Sequence, residues 1–169
     1  MAVVHPLEPD VQRHPVMTGD KLAALQQRLG YAFGDRTLLE RALTHASAVA
    51  PEEARILSYQ RLEFLGDRVL GLAVARLLYE RFPDAPEGHL SRALADLVRK
   101  ETCAAVAEDI GLGAAIRVGK GERRSGLAKK VAVLGDACEA VLGALALDGG
   151  YPEAERVIRA LWSSRLPEL

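Results

Sequence analysis

Arg61-Leu62-Glu63-Phe64-Leu65-Gly66-Asp67-Arg68-Val69-Leu70-Gly71-Leu72 sets two acids, Glu63 and Asp67, one helical turn apart in an otherwise apolar run. Residues at i and i+4 share a helix face, with Cβ atoms roughly 5–6 Å apart. Six apolar neighbours leave little room for a wide polar face. The pair is therefore expected to be buried or half-buried, where unpaired charge is costly, and a bound cation is the natural counter-charge. A solvated stripe on an amphipathic helix is the simpler alternative. A second run, residues 131–147 (VAVLGDACEAVLGALAL), has Asp136 and Glu139 as its only charges, at i and i+3. Two apolar helices with one acid pair each can present four carboxylates to a common site. Carboxylate oxygens are the ligands that Mg2+, Mn2+ and Ca2+ prefer.

The rest of the chain fits an all-α protein of one domain. Its 169 residues are 49% apolar with 5% aromatic, and no run of alternating β-branched residues closes on a hairpin turn. Cys103 and Cys138 have neither a disulfide framework nor metal-ligand spacing, so small buried thiols in a reducing compartment are expected. No signal peptide is visible. The 131–147 run is short for a bilayer and carries two acids in its middle. A cytoplasmic protein with no membrane partner is expected. The net charge of −1 excludes a globally basic nucleic-acid binder and leaves only a local surface.

Residues 1–17 read as a flexible N-terminal tail, and 18–169 as the folded domain. Thr18 or Asp20 can cap a helix to about Leu29, stopped by Gly30. Asp35 can cap a short helix through about Thr44, and 46–57 reads as a loop. A long helix is expected from about Ser58 to Arg81, ended by Phe82-Pro83. Helices over roughly 87–99 and 101–110 follow. Residues 112–128 read as a glycine-rich basic loop, or a short helix between loops. The acid-bearing helix covers about 130–147, Asp148-Gly149-Gly150 is a turn, and Pro152 starts a last helix to about Arg165.

Residues 117–130 hold six basic residues and one acid. Among them, Lys120, Arg123 and Arg124 with interleaved glycines suit phosphate contact, against the simpler reading of a solvated loop. His45 is expected to be a hydrogen-bonded structural residue rather than a catalyst. A di-iron bundle would need Glu-x-x-His pairs, and none of the histidines lies three residues after a glutamate.

These residues resemble the endonuclease domain of bacterial ribonuclease III. RLEFLGDRVLG is similar to that family's signature segment. Leu38 to Ser47 resembles its second-helix motif. Glu87-Gly88-His89-Leu90-Ser91, Leu97-Val98-Arg99, Gly119-Lys120-Gly121-Glu122 with Ser125-Gly126, and Leu134 to Ala140 follow in order, so the resemblance covers roughly 19–166. It implies a symmetric homodimer that cuts double-stranded RNA with Mg2+, for which Mn2+ can substitute. By the same resemblance Glu63, Asp67, Asp136 and Glu139 match the metal-site carboxylates, with Asp67 and Glu139 closest to the chemistry. Glu87 matches a further acid near the cleavage valley. Phe64 matches a residue that enters a socket on the partner subunit. Products with 5′-phosphate and 3′-hydroxyl ends and short 3′ overhangs, and a role in ribosomal RNA precursor processing, are what the family implies.

Three departures modify this picture. Gln60 stands where the family usually has glutamate, so it is expected near RNA rather than as a metal ligand. Arg68 follows Asp67 where serine is frequent, and a 100° step along the helix is expected to direct it away from Asp67, towards RNA or the partner. Bacterial members of the family usually carry a C-terminal double-stranded-RNA-binding domain that is not expected in this sequence, so it reads either as an excised catalytic domain, which the motifs favour, or as one of the short forms that lack that domain. The rival readings are a non-catalytic RNA-binding or scaffolding relative of the same fold, and a helical dimerisation module, for which the basic 117–130 segment would have no purpose.

Overall fold

Leucines at helical spacing followed by a glycine define the first element: α1 (Gly19–Leu29) buries Leu22, Leu25 and Leu29 and ends before Gly30. The Asp35 carboxylate then accepts from the Thr37 amide at 2.9 Å, satisfying an orphan donor at the start of α2 (Arg36–Ala42) as a capping side chain should. The computed structural model describes residues 19–168, and no strand is present among the described residues. The tail expected over 1–17 and a cap at Thr18 lie outside the described residues. Asp20 falls within the first turn of α1 rather than at its cap.

The expected loop at 46–57 contains a 3-10 turn (Ala46–Ala48) and a single-turn helix, α3 (Ala54–Leu57). His45 initiates the first of these. Its Nδ1 accepts from the Ser47 amide at 3.0 Å, which is the structural role expected of it. Next come α4 (Gln60–Arg81), α5 (Glu87–Val98) and α6 (Lys100–Asp109), within two residues of their expected bounds. The basic segment contains a short helix, α7 (Lys120–Arg124), between 3-10 turns at Leu112–Ala115 and Leu127–Lys129. Then follow α8 (Val131–Gly149) and α9 (Tyr151–Trp162).

The turn expected at 148–150 is reduced to Gly150, whose φ of 81° breaks the helix where a side chain would be strained. Asp148 stays helical because its carboxylate accepts from the Tyr31 hydroxyl and from the Gly34 and Asp35 amides, each at 2.8 Å. This clamps the end of α8 to the α1–α2 connection. The Asp35 amide first, then the Tyr31 hydroxyl and the Gly34 amide, hold the Asp148 carboxyl below the usual aspartate range. Asp148→Ala is expected to cost about 1–2 kcal/mol at neutral pH. A depressed carboxylate stabilises the fold above its unfolded pKa and loses that contribution as pH falls through its folded pKa. Urea titrations of parent and variant should therefore converge in acid, below roughly pH 4; a gap that stays constant into acid would argue against the clamp.

The apolar α8 is the centre of the fold, as a helix hydrophobic on all sides must be. It packs against α2, α4, α6 and α9, with Ala137, Ala140, Val141, Leu142, Ala144 and Leu145 all buried. At its crossing with α4 the two backbones touch. A Cβ at Gly66 would collide with the Glu139 carbonyl, and one at Gly143 with the Leu62 carbonyl. Glu63 and Glu139 each lie about one turn before one of these glycines, so the crossing sets the distance between the acid-bearing faces. Fully buried Trp162, at the end of α9, donates its indole N–H to the Leu97 carbonyl at 2.8 Å, so the largest buried side chain brings no unsatisfied donor into the core. No helix among the described residues is long and apolar enough to cross a membrane.

Candidate metal centre

Because α4 and α8 meet at glycines, their acids meet too. One carboxylate oxygen from each of Glu63, Asp136 and Glu139 lies within 4.8 Å of the others. Glu139 is buried, and Glu63 and Asp136 are half-buried. Burial first, then the negative charge of Asp136, pushes the Glu63 carboxyl up, with Lys100 opposing. Burial likewise raises Glu139, again against Lys100, with the charges of Asp67 and Glu63 adding to the rise. These are acids crowded in low dielectric, where opposite charge is most strongly attracted.

Asp67, expected beside them, is not in this triad. It pairs with the neighbouring Arg68 at 2.8 Å and keeps 48% of its side chain exposed. It does line the same cleft of about 470 Å³, together with Gln60, Glu63, Phe64, Arg68, Val98, Lys100 and Glu139. The direction expected for Arg68 is corrected here. Its guanidinium turns back along α4, donating to Asp67 and to the Phe64 carbonyl at 3.2 Å, and stacks 4.1 Å from the Phe64 ring centre. An exposed aromatic face and an adjacent carboxylate hold it there more strongly than helix geometry directs it away.

Two residues beyond those expected complete the cluster, Lys100 and Tyr59. Lys100, the first residue of α6, hydrogen-bonds Asp136, donates to Glu139 at 3.1 Å and lies 3.5 Å from Glu63. Burial by itself lowers its pKa, but the hydrogen bonds and charges of Asp136 and Glu139 together outweigh this and hold it above the usual lysine range. Tyr59, immediately before α4 and buried, directs its hydroxyl to Asp136 at 3.5 Å. Burial and the charges of Asp136 and Glu63 keep that phenol protonated. A signal for Tyr59 existed, since it precedes Glu63 by four residues. The two cysteines are buried as expected. Burial and the charge of Glu139 push the Cys103 thiol up to about 12, which disfavours the thiolate.

Of the other expected contact residues, only Gln60 borders the cleft. Gln60 is exposed at the cleft's edge. Glu87 is exposed in the first turn of α5, accepts from the Ser91 hydroxyl, and is not among the cleft's lining residues. Lys120, Arg123 and Arg124 are exposed on α7. That helix is anchored through Gly119, whose amide donates to Ser47 at 3.0 Å, and through the pairing of Arg117 with Leu43 and His45. The same segment meets the start of α4, where the Tyr59 amide donates to Thr44.

The donor set suits a hard divalent cation. It is all oxygen, it comes from rigid helices, and it converges on a point that already holds a full positive charge, the Lys100 ammonium.

A family model described as Ribonuclease-III-like matches residues 35–166. The chain is 54% identical over 144 residues to a protein named Ribonuclease 3 from Azorhizobium caulinodans, covering 85% of this chain and 61% of that protein. It is 47% identical over 163 residues to Ribonuclease 3 from Nitrobacter winogradskyi, covering 95% of this chain and again 61% of the relative. It thus spans about 60% of the length of these curated relatives. The solved nuclease domain of ribonuclease III from Campylobacter jejuni superposes with a TM-score of 0.80 at 36% identity, covering 87% of this chain and 99% of that one.

Proposed function

Since the chain belongs to the ribonuclease-III-like family, we propose that it is a Mg2+-dependent endoribonuclease that hydrolyses double-stranded RNA as a homodimer. The observation that carries this reading is the convergence of Glu63, Asp136 and Glu139 within 4.8 Å around a cationic centre in an open cleft. A bound divalent cation would supply charge neutralisation on the phosphate and an activated water. Glu63, Asp136 and Glu139 would hold it, and Asp67 would join them from the same cleft on leaving Arg68.

The residues around the carboxylates have separable tasks. Tyr59 positions Asp136 through its hydroxyl. Gln60, at the mouth, offers an amide that can donate to and accept from a phosphate or a 2′-hydroxyl. Lys120, Arg123 and Arg124 offer charge to the backbone of an A-form duplex, which is read by shape and 2′-hydroxyls rather than by sequence. Glu87 is an accessory acid at the N-terminus of α5. Products with 5′-phosphate and 3′-hydroxyl ends, ribosomal RNA precursors as targets and a cytoplasmic setting belong to the same reading. So does the division of the chain into a tail over 1–17 and a catalytic domain over 18–169.

The homodimer is supported by one face of α4. Phe64, Leu72 and Tyr79 are 64%, 58% and 74% exposed, an unusual concentration of large apolar side chains on one helix. The Campylobacter jejuni nuclease domain has a region involved in dimer formation. Phe64→Glu is expected to weaken self-association by at least about tenfold, since a charge would replace an apolar anchor. Sedimentation equilibrium checks this, and an unchanged dimer would remove Phe64 from the interface.

The substrate class is tested with one sequence presented as RNA duplex, single-stranded RNA and DNA duplex, in Mg2+ at low salt. Cleavage confined to the RNA duplex supports the proposal. Equal cleavage of DNA, or of single strands only, would reject it. Binding without cleavage would favour the scaffolding alternative.

A further inference from the structure

We propose that Lys100 is a tethered counter-cation of the carboxylate triad, and that a divalent cation enters the site by displacing its ammonium group from Glu63, Asp136 and Glu139. This rests on the metal reading above and adds the means by which the site is held ready and loaded. The ammonium bonds Asp136 and lies 3.1 Å from Glu139 and 3.5 Å from Glu63. A Mg2+ ion takes its oxygens at roughly 2.0–2.1 Å. A position that close to the same three carboxylates falls inside the space the ammonium fills, so ion and ammonium exclude each other.

The helix opposite is shaped around the lysine. A Cβ at Gly135 would collide with the Lys100 side-chain carbons and press on its carbonyl. Gly135, immediately before Asp136, thus leaves the groove through which the stem reaches the acids. The side chain also has a way out. It is 36% exposed and borders the cleft it shares with Gln60, Asp67 and Arg68. Its four-carbon stem can turn outward without moving α6. In the metal-free chain the ammonium offsets the mutual repulsion of three crowded carboxylates, and each of its ion pairs must be given up when a metal binds. Lys100 therefore sets both the stability of the empty site and the apparent metal affinity.

The test titrates MnCl2 into the metal-stripped parent and into Lys100→Met, read by calorimetry. Methionine keeps much of the stem and removes the charge. A Kd about tenfold lower in the variant is expected from the loss of the competing charge. In a second arm the parent is treated with an amine-acetylating reagent with and without Mn2+, and acetylation of Lys100 is read by peptide mass spectrometry against exposed Lys21. Acetylation of Lys100 should rise several-fold with Mn2+ while that of Lys21 stays constant. Equal or weaker Mn2+ binding by Lys100→Met overturns the exchange and leaves the metal site standing. So does acetylation of Lys100 that does not rise with Mn2+, and this arm needs no variant to fold. Failure of both chains to bind Mn2+ overturns the metal reading and the exchange together.

Discussion

A Gly66→Val chain is expected to lose about 3 kcal/mol or more of stability and to lack a folded active site. The cause is backbone against backbone. A Cβ at Gly66 meets the Glu139 carbonyl, and the reciprocal contact at Gly143 meets the Leu62 carbonyl. No rotamer change relieves such a collision, so α4 and α8 would have to separate along the crossing that organises the core. Gly121→Ala is the matched control. It lies in α7 with nothing within 4 Å of a new Cβ, and is expected to be neutral or slightly stabilising. Urea unfolding followed by helical circular dichroism reads both. A Gly66→Val midpoint equal to the parent's would show that the crossing is looser than described.

If the proposed metal site is right, Glu139→Gln is expected to lower kcat/KM on an RNA duplex by on the order of 10³-fold, because the cation it would help to hold supplies several kcal/mol of transition-state charge stabilisation. The variant should still fold. Glutamine matches glutamate in shape, and the charge it removes is one that burial disfavours. On the proposed reading it should also still bind duplex RNA at low salt, since the exposed basic residues of α7 proposed to contact the duplex are untouched. Single-turnover cleavage and a binding assay on the same preparation separate these effects. Activity within tenfold of the parent would take Glu139 out of the reaction.

The fold was legible wherever a local pattern has a local cause. A run apolar on every side with two acids reads as a buried, acid-bearing helix, and α8 is that helix. Asp35 has the chemistry of a cap and caps α2. The four-residue α3 was missed because one helical turn leaves no period to detect. Asp148-Gly149-Gly150 read as a turn because the partners that keep Asp148 helical, Tyr31, Gly34 and Asp35, lie more than 100 residues earlier.

The candidate site divides in the same way. The acid pairs of α4 and α8 announce themselves as charges in apolar surroundings. Lys100 does not, because Arg99-Lys100-Glu101 reads as an ordinary solvated helix junction. Its partners lie 36 and 39 residues further on, and only the α6–α8 packing brings them together. Helix spacing placed Asp67 on the face of Glu63, but the Phe64 ring and the Arg68 guanidinium beside it decide where its carboxylate rests. Such a contact depends on side-chain packing, which periodicity does not encode.

The most direct test of a metal-dependent double-stranded-RNA endonuclease is to strip the chain of metal with EDTA, offer it a long RNA duplex at low salt, and then restore Mg2+. The expected result is an intact duplex in EDTA and short fragments with 5′-phosphate ends after Mg2+ is added. Fragmentation that proceeds unchanged in EDTA, or an intact duplex beside a folded, Mg2+-supplied chain, would contradict it.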